Sequence, residues 1–270
     1  MTSSRIAVAF VRARSERRAA FIPYLTAGDP SSDATVALAR ALEDAGADVL
    51  ELGVPFSDPI ADGPVLQRSA ARSLAAGTTL EDVLRIARRI RRETSLALVL
   101  FSYLNPLLRR GLERAAREAR EAGVDAVLVT DLPPEEGDGV QPVFLAAGLD
   151  TVFLVSPTST ASRMSQAAAL STGFLYVVSR PGTTGMRDSL PADLPGTMAR
   201  ARRAAGKRLP VAIGFGISTP ATARLAAQIA DGVVVGSALV AAVEENAENA
   251  VAAVGRLARG LVRACRRTRK

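Results

Sequence analysis

Glu51 and Asp62 are the residues of this chain best placed to move protons, both within the stretch Leu-Glu-Leu-Gly-Val-Pro-Phe-Ser-Asp-Pro-Ile-Ala-Asp-Gly-Pro that spans 50–64. The stretch opens as a strand, 48–53, in which alternate side chains face opposite ways. If Leu50 and Leu52 share one face, Val49, Glu51 and Gly53 share the other. The run is apolar apart from Glu51, as strands buried on both sides of a parallel sheet are. A carboxylate there is costly unless it is paired or hydrogen-bonded. It is therefore half of a structural ion pair, a strand-end residue that reaches water, or a working acid, since burial raises a carboxyl pKa toward the range useful for proton transfer. The loop that follows is fixed by Pro55, Pro59, Gly63 and Pro64 and adds Asp58 and Asp62. Asp58 reads as a turn residue. Asp62, close downstream of Glu51, reads as a second acid.

The chain has no histidine, which removes Ser-His-Asp and Cys-His mechanisms and histidine metal sites. Its one cysteine, Cys265, excludes an internal disulfide and a cysteine-rich metal site. Acid–base work at neutral pH falls to carboxylates, tyrosines or the only lysines, Lys207 and Lys270. The net charge of +7 is carried almost wholly by arginine, in clusters at 12–18, 85–92, 200–208 and 263–270. These clusters are scattered, aromatic residues make up only 4%, and no nucleic-acid motif accompanies them, so they read as solvated helix faces. The first 18 residues hold only short apolar runs cut by arginine, and no run is long enough to cross a bilayer. A cytoplasmic location is expected.

Strand-like runs alternate with helical stretches along all 270 residues. Strands are expected near 20–25, 48–53, 96–103, 126–130, 151–156, 174–179, 211–215 and 232–236. Helix signals lie between them. Ser31 heads a helix ending at Gly46, and 65–76 ends at Gly77. Thr78 and Glu81 form a capping box that opens a helix to about 92. The helix over 111–122 sets Glu113 four residues ahead of Arg117, and Pro220 opens another. One long helix is expected over 237–263, a short one over 6–11, and the Gly-Asp-Gly-Val-Gln-Pro run 137–142 is poor for a helix. Eight β/α units without a linker predict an α/β fold, a single (β/α)8 TIM barrel over 1–270 with a short N-terminal helix and a basic tail that frays beyond about 263. An open doubly wound sheet would carry Gly-x-Gly-x-x-Gly after an early strand, and none is present.

In such a barrel the chemistry sits at the C-terminal ends of the strands. There the sequence places Glu51, Asp62, Tyr103, Asp131, Tyr176 and three glycine-rich stretches. Ser179-Arg-Pro-Gly-Thr-Thr-Gly185, Gly214-Phe-Gly216 and Gly236-Ser237 together read as a phosphate cradle. A helix opening at Ser237 adds partial positive charge. The segment from Arg180 through Gly182, Thr183 and Thr184 reads as a lid over that cradle.

Four motifs, Phe21-Ile-Pro-Tyr-Leu-Thr-Ala-Gly-Asp-Pro30, Glu51 through Pro64, Asp131-Leu-Pro-Pro-Glu-Glu136 and Gly214-Phe-Gly-Ile217, resemble the tryptophan synthase α subunit. The likeness runs from about Phe10 to the last helix. It implies retro-aldol cleavage of indole-3-glycerol phosphate to indole and glyceraldehyde 3-phosphate, without a cofactor or metal in this chain. By the same resemblance Glu51 and Asp62 are the catalytic carboxylates and Tyr176 supports the glutamate. Gly185, Gly214, Gly216, Gly236 and Ser237 hold the phosphate, and Phe21, Tyr103, Leu128 and Phe215 wall the indole pocket. The implied partner is a pyridoxal-phosphate β subunit in an α2β2 assembly, met by Asp58, Asn105 and Pro106. A stand-alone lyase releasing free indole and a non-catalytic regulator of a β subunit are the alternatives. One departure falls in the lid, where Pro181 and Thr183 replace the Ala and Val of the usual Arg-Ala-Gly-Val-Thr-Gly.

Overall fold

The computed structural model describes residues 4–179, 191, 193–214 and 216–267. Eight parallel strands close into a barrel in chain order. They are β1 Ala20–Thr26, β2 Val49–Gly53, β3 Ala97–Ser102, β4 Ala126–Val129, β5 Asp150–Val155, β6 Phe174–Val178, β7 Val211–Gly214 and β8 Gly232–Val235. β8 returns to pair with β1 from Ala20↔Gly232 to Pro23↔Val235. The helices are α1 Arg5–Ser15, α2 Ser32–Asp44, α3 Pro64–Ala75, α4 Leu80–Glu93, α5 Leu104–Arg110, α6 Leu112–Glu121, α7 Gly137–Ala146, α8 Ala161–Leu170, α9 Leu194–Ala205, α10 Pro220–Ile229, α11 Ser237–Glu245 and α12 Ala250–Ala264.

Strand alternation sorts the core into two layers. Side chains such as Leu50, Leu52, Leu98 and Leu100 pack outward against the helices. Ile22, Val49, Val99, Leu128, Phe174 and Val234 fill the barrel interior. α1 closes the lower end. Its Ile6, Phe10 and Ala13 join the inner layer, and Phe10 meets Phe174, the first residue of β6, at 5.6 Å between ring centroids. Arg5 pairs with Asp125 at 3.0 Å and Arg12 with Asp48 at 2.8 Å, fixing the helix across the strand starts. With the lower end plugged, the interior opens only at the C-terminal ends of the strands.

Several local expectations are corrected. The capping box lies one residue later, between Thr79 and Asp82, because Thr78 is drawn back to donate its N–H to Ser73 O at 3.1 Å. On α6 the four-residue ion pair is Arg114 with Glu118, at 2.8 Å. The expected long terminal helix is two helices. Asn246 ends α11 at φ −127°, ψ 46°, turning its amide back onto Ala242 O, and Asn249 precedes α12. α1 is longer than expected, running through Ser15. α7 forms despite Gly137, Gly139 and Pro142. Tertiary contact overrides propensity there: Gly137 sits so close to Leu170 that a Cβ would lie 2.5 Å from its side chain, Phe144 is buried, and Gln141 donates to Leu170 O at 2.9 Å. Beyond 263 the chain stays tied as far as Arg267, whose N–H donates to Arg17 O at 3.0 Å.

Candidate active site

Leu50 and Leu52 of β2 face the helices, so Glu51 between them points into the barrel. It is 1% exposed. Its Oε1 is buried without a hydrogen-bond partner among the described residues. Burial alone pushes its pKa up to about 8, because water no longer solvates the anion. Glu51 is therefore a protonated acid at neutral pH.

Asp62 arrives from the loop between β2 and α3. The loop is tied by Asp62 N–H donating to Pro59 O at 3.0 Å and by Gln67 Nε2 donating to Asp62 O at 2.9 Å. Tyr103, just past β3, donates its hydroxyl to Asp62 Oδ2 at 3.1 Å and accepts from Ala61 N–H at 3.0 Å. Burial raises the Asp62 pKa to about 6, with the Tyr103 hydrogen bond opposing the rise. Two buried carboxyls that act on the same tyrosines, Tyr24 and Tyr176, thus hold different protonation states at neutral pH. Tyr176 of β6 is fully buried beside them. Burial, and then the Glu51 and Asp62 charges, push its phenol well up.

The pocket wall differs from expectation at one position. Phe21 is 0% exposed and packs in the outer layer beneath the helices, not in the cavity. Tyr24 takes the inward position on β1, edge-on to Phe101 of β3, with centroids 5.3 Å apart and planes at 80°. Leu128 is inward as expected. Tyr24 and Phe101 were missed, although a period-two count back from Thr26 gives Tyr24, Ile22 and Ala20 as one face. A Cβ on Gly53 would lie 2.1 Å from the Tyr24 hydroxyl, and one on Gly214 would lie 2.1 Å from the Tyr176 hydroxyl. Both glycines therefore make room for a tyrosine of the neighbouring strand.

Past the end of β8, two strands round the ring from β2, Gly236 and Ser237 open α11. The Gly236 carbonyl accepts from Leu239 N–H at 2.9 Å and Val240 N–H at 3.1 Å, while the first N–H groups of a helix have no partner within it. Gly216 adopts φ +79° at the turn after β7, a conformation that favours glycine. Gly214 ends β7, and its carbonyl accepts from Ser179 N–H at 3.0 Å. Gly185, Phe215 and the lid positions Arg180, Gly182, Thr183 and Thr184 lie outside the described residues.

On the rim of the same end, Asp58 is exposed and accepts from Ser57 Oγ at 2.8 Å. Asn105 and Pro106 stand in the first turn of α5. A cleft of about 510 Å³ joins these segments, with Phe56, Ser57, Pro106 and Arg109 among its lining residues. Ile60 is 78% and Leu108 50% exposed nearby. Among the described residues no cluster of three or more Cys, Asp or Glu side chains is arranged to hold a metal ion, and no helix is long and apolar enough to cross a membrane.

Comparison with known proteins points to one family. The family profile described as tryptophan synthase alpha chain matches residues 10–266. The tryptophan synthase alpha chain of Solibacter usitatus is 52% identical over 248 residues, covering 92% of each chain. That of Opitutus terrae is 49% identical, covering 90% of this chain and 91% of its own. Among solved structures, a tryptophan synthase of Mycobacterium tuberculosis superposes with a TM-score of 0.90 at 35% identity, covering 98% of this chain and 100% of its own. Tryptophan synthase subunit alpha of Legionella pneumophila gives 0.87 at 40% identity, covering 98% and 99%.

Proposed function

The chain belongs to the tryptophan synthase alpha chain family, and from that premise we propose that it cleaves indole-3-glycerol phosphate to indole and glyceraldehyde 3-phosphate by a retro-aldol reaction. The observation that carries this assignment is the pairing, around the same buried tyrosines, of a protonated Glu51 with an Asp62 that is largely ionised. Indole leaves poorly until C3 of its ring is protonated, and Glu51 is the acid for that step. Positive charge then develops on the ring nitrogen, and the Asp62 carboxylate holds the N–H proton there. The C–C bond breaks as the adjacent glycerol hydroxyl loses its proton to the Glu51 carboxylate, which returns Glu51 to its starting form. Each positioned acid or base is worth about 10²–10⁴ in rate.

The phosphate is held by the amides at Gly216, Gly236 and Ser237 and the start of α11. Gly214 contributes less directly, by making room for Tyr176. Tyr103, Tyr24, Phe101 and Leu128 wall the indole ring. This chain needs neither cofactor nor metal for these steps.

Indole passes to a pyridoxal-phosphate β subunit in an α2β2 assembly in the cytoplasm, and the rim carrying Asp58, Ile60, Asn105 and Pro106 meets that partner. The deciding assay is indole formation from indole-3-glycerol phosphate with and without a β subunit. Stimulation by β supports the assembly. Full turnover by the chain alone would instead make it a stand-alone lyase, and a Glu51→Gln chain that still released indole would overturn the mechanism.

A further inference from the structure

Tyr24 and Glu51 are a hydrogen-bond donor and an acceptor left over side by side. They are register partners across β1 and β2, and both face the barrel interior. Glu51 Oε1 is buried and accepts no hydrogen bond among the described residues. Thr26 Oγ1 lies 3.5 Å from the Tyr24 oxygen and 2.6 Å from Ser69 Oγ of α3, whose own hydroxyl donates to Leu66 O at 2.9 Å. Ser69 thus takes the Thr26 proton, and among the described residues the phenol proton of Tyr24 has only that Thr26 oxygen, at a distance long for an O–H···O bond. The ring needs no hydroxyl to pack edge-on to Phe101. Yet the hydroxyl has been given space, since a Cβ on Gly53 would lie 2.1 Å from it.

We propose that Tyr24 is a positioning residue for the cleavage reaction, donating its phenolic hydrogen bond to the Glu51 carboxylate once Glu51 has passed its proton to substrate. Tyr24 keeps its proton throughout. Its part rests on Glu51 being the acid assigned above. When Glu51 gives up its proton, an anion forms whose Oε1 has no partner among the described residues, and Tyr24 stands beside it as its register partner on the neighbouring strand. Charge-assisted bonds of this kind often tighten only when the reacting group is charged. The titratable groups facing Tyr24 are Glu51 from β2, Asp62 from the loop before α3 and Tyr103 past β3. Tyr176 on β6 faces the same two acids. Burial together with the Asp62 and Glu51 charges holds the Tyr24 phenol protonated.

The test is Tyr24→Phe in the full chain, with Thr26→Val as a second variant that keeps the phenol and removes the hydroxyl beside it, together with its bond to Ser69. Carbon-13 carboxyl titration of Glu51 should show the midpoint, about 8 in the parent, move up by about one pH unit in Tyr24→Phe. Thr26→Val should give a smaller shift in the same direction. With a β subunit present, kcat for indole formation should fall about tenfold while KM stays within roughly twofold. A Glu51 midpoint that stays in place in both variants overturns the proposal whatever their activity. A midpoint that moves in a chain that never releases indole sustains the Tyr24–Glu51 coupling and overturns the cleavage chemistry instead.

Discussion

Glu51 and Asp62 bear the same functional group beside the same buried tyrosines, and their surroundings part their proton affinities. Glu51 has desolvation and no donor on Oε1, so it sits near 8; Asp62 has desolvation offset by Tyr103, so it sits near 6. The proposed cleavage needs Asp62 ionised and Glu51 protonated. The pH profile of kcat/KM should therefore be a bell, falling as pH drops through about 6 and again as pH rises through about 8. Tyr103→Phe should shift the acidic limb to higher pH, because it removes the bond that favours the Asp62 anion. The same burial links Glu51 to stability. Its folded pKa of about 8 lies above the ordinary 4.5, so between those values the folded chain holds a proton that the unfolded chain has released. Stability is greatest below the lower value and is lost as pH rises through the higher one. Glu51→Gln should accordingly raise Tm at pH 9 by more than it does at pH 4, in a calorimetric comparison, while removing cleavage by about 10²-fold or more.

Elements set the distances between these groups. α3 follows Asp62 directly and is clamped at its far end. Arg72 grips Asp29 through two bonds of 2.9 and 2.8 Å and reaches Glu244 of α11 at 2.7 Å, while Arg68 adds two more bonds to Glu244 at 2.8 and 2.7 Å. α11 is the helix whose first turn is proposed to hold the phosphate, so the clamp ties the helix that follows Asp62 to it. Arg72→Ala leaves Asp29 buried without its guanidinium and should destabilise the chain by about 1–3 kcal/mol in urea unfolding. At β7, Gly214→Ala places a methyl 2.1 Å from the Tyr176 hydroxyl and 2.7 Å from its ring carbon. The ring must move, at about 1–3 kcal/mol of overpacking, and kcat should fall further than stability alone explains.

For the whole molecule, α1 seals the lower end of the barrel and leaves one mouth, and the exposed apolar side chains Ile60 and Leu108 stand on its rim. Ile60→Arg should weaken association with a β subunit by about tenfold or more in titration calorimetry. The Tm of the isolated chain should stay the same, because the side chain is 78% exposed. Unchanged association would take this rim out of the interface. The two termini are joined by Ala19 N–H donating to Cys265 O and Arg267 N–H donating to Arg17 O, both at 3.0 Å.

The number and order of the strands, the acids and the strand ends that carry them were legible in the amino-acid sequence, because each depends on short-range pattern: period-two runs, proline and glycine punctuation, and a carboxylate alone in an apolar strand. Which way β1 faces was not. All seven of its residues are buried, so the strand shows no polar face to mark its outside, and only barrel closure turns Tyr24 inward and Phe21 outward. α7 needed the contacts of its neighbours to form across Gly139 and Pro142. The separation of the two carboxyl pKa values is likewise a property of the closed barrel. Water is excluded from Glu51 by residues drawn from all round the ring, and Tyr103 reaches Asp62 across 41 positions of chain, a distance over which local pattern carries no information.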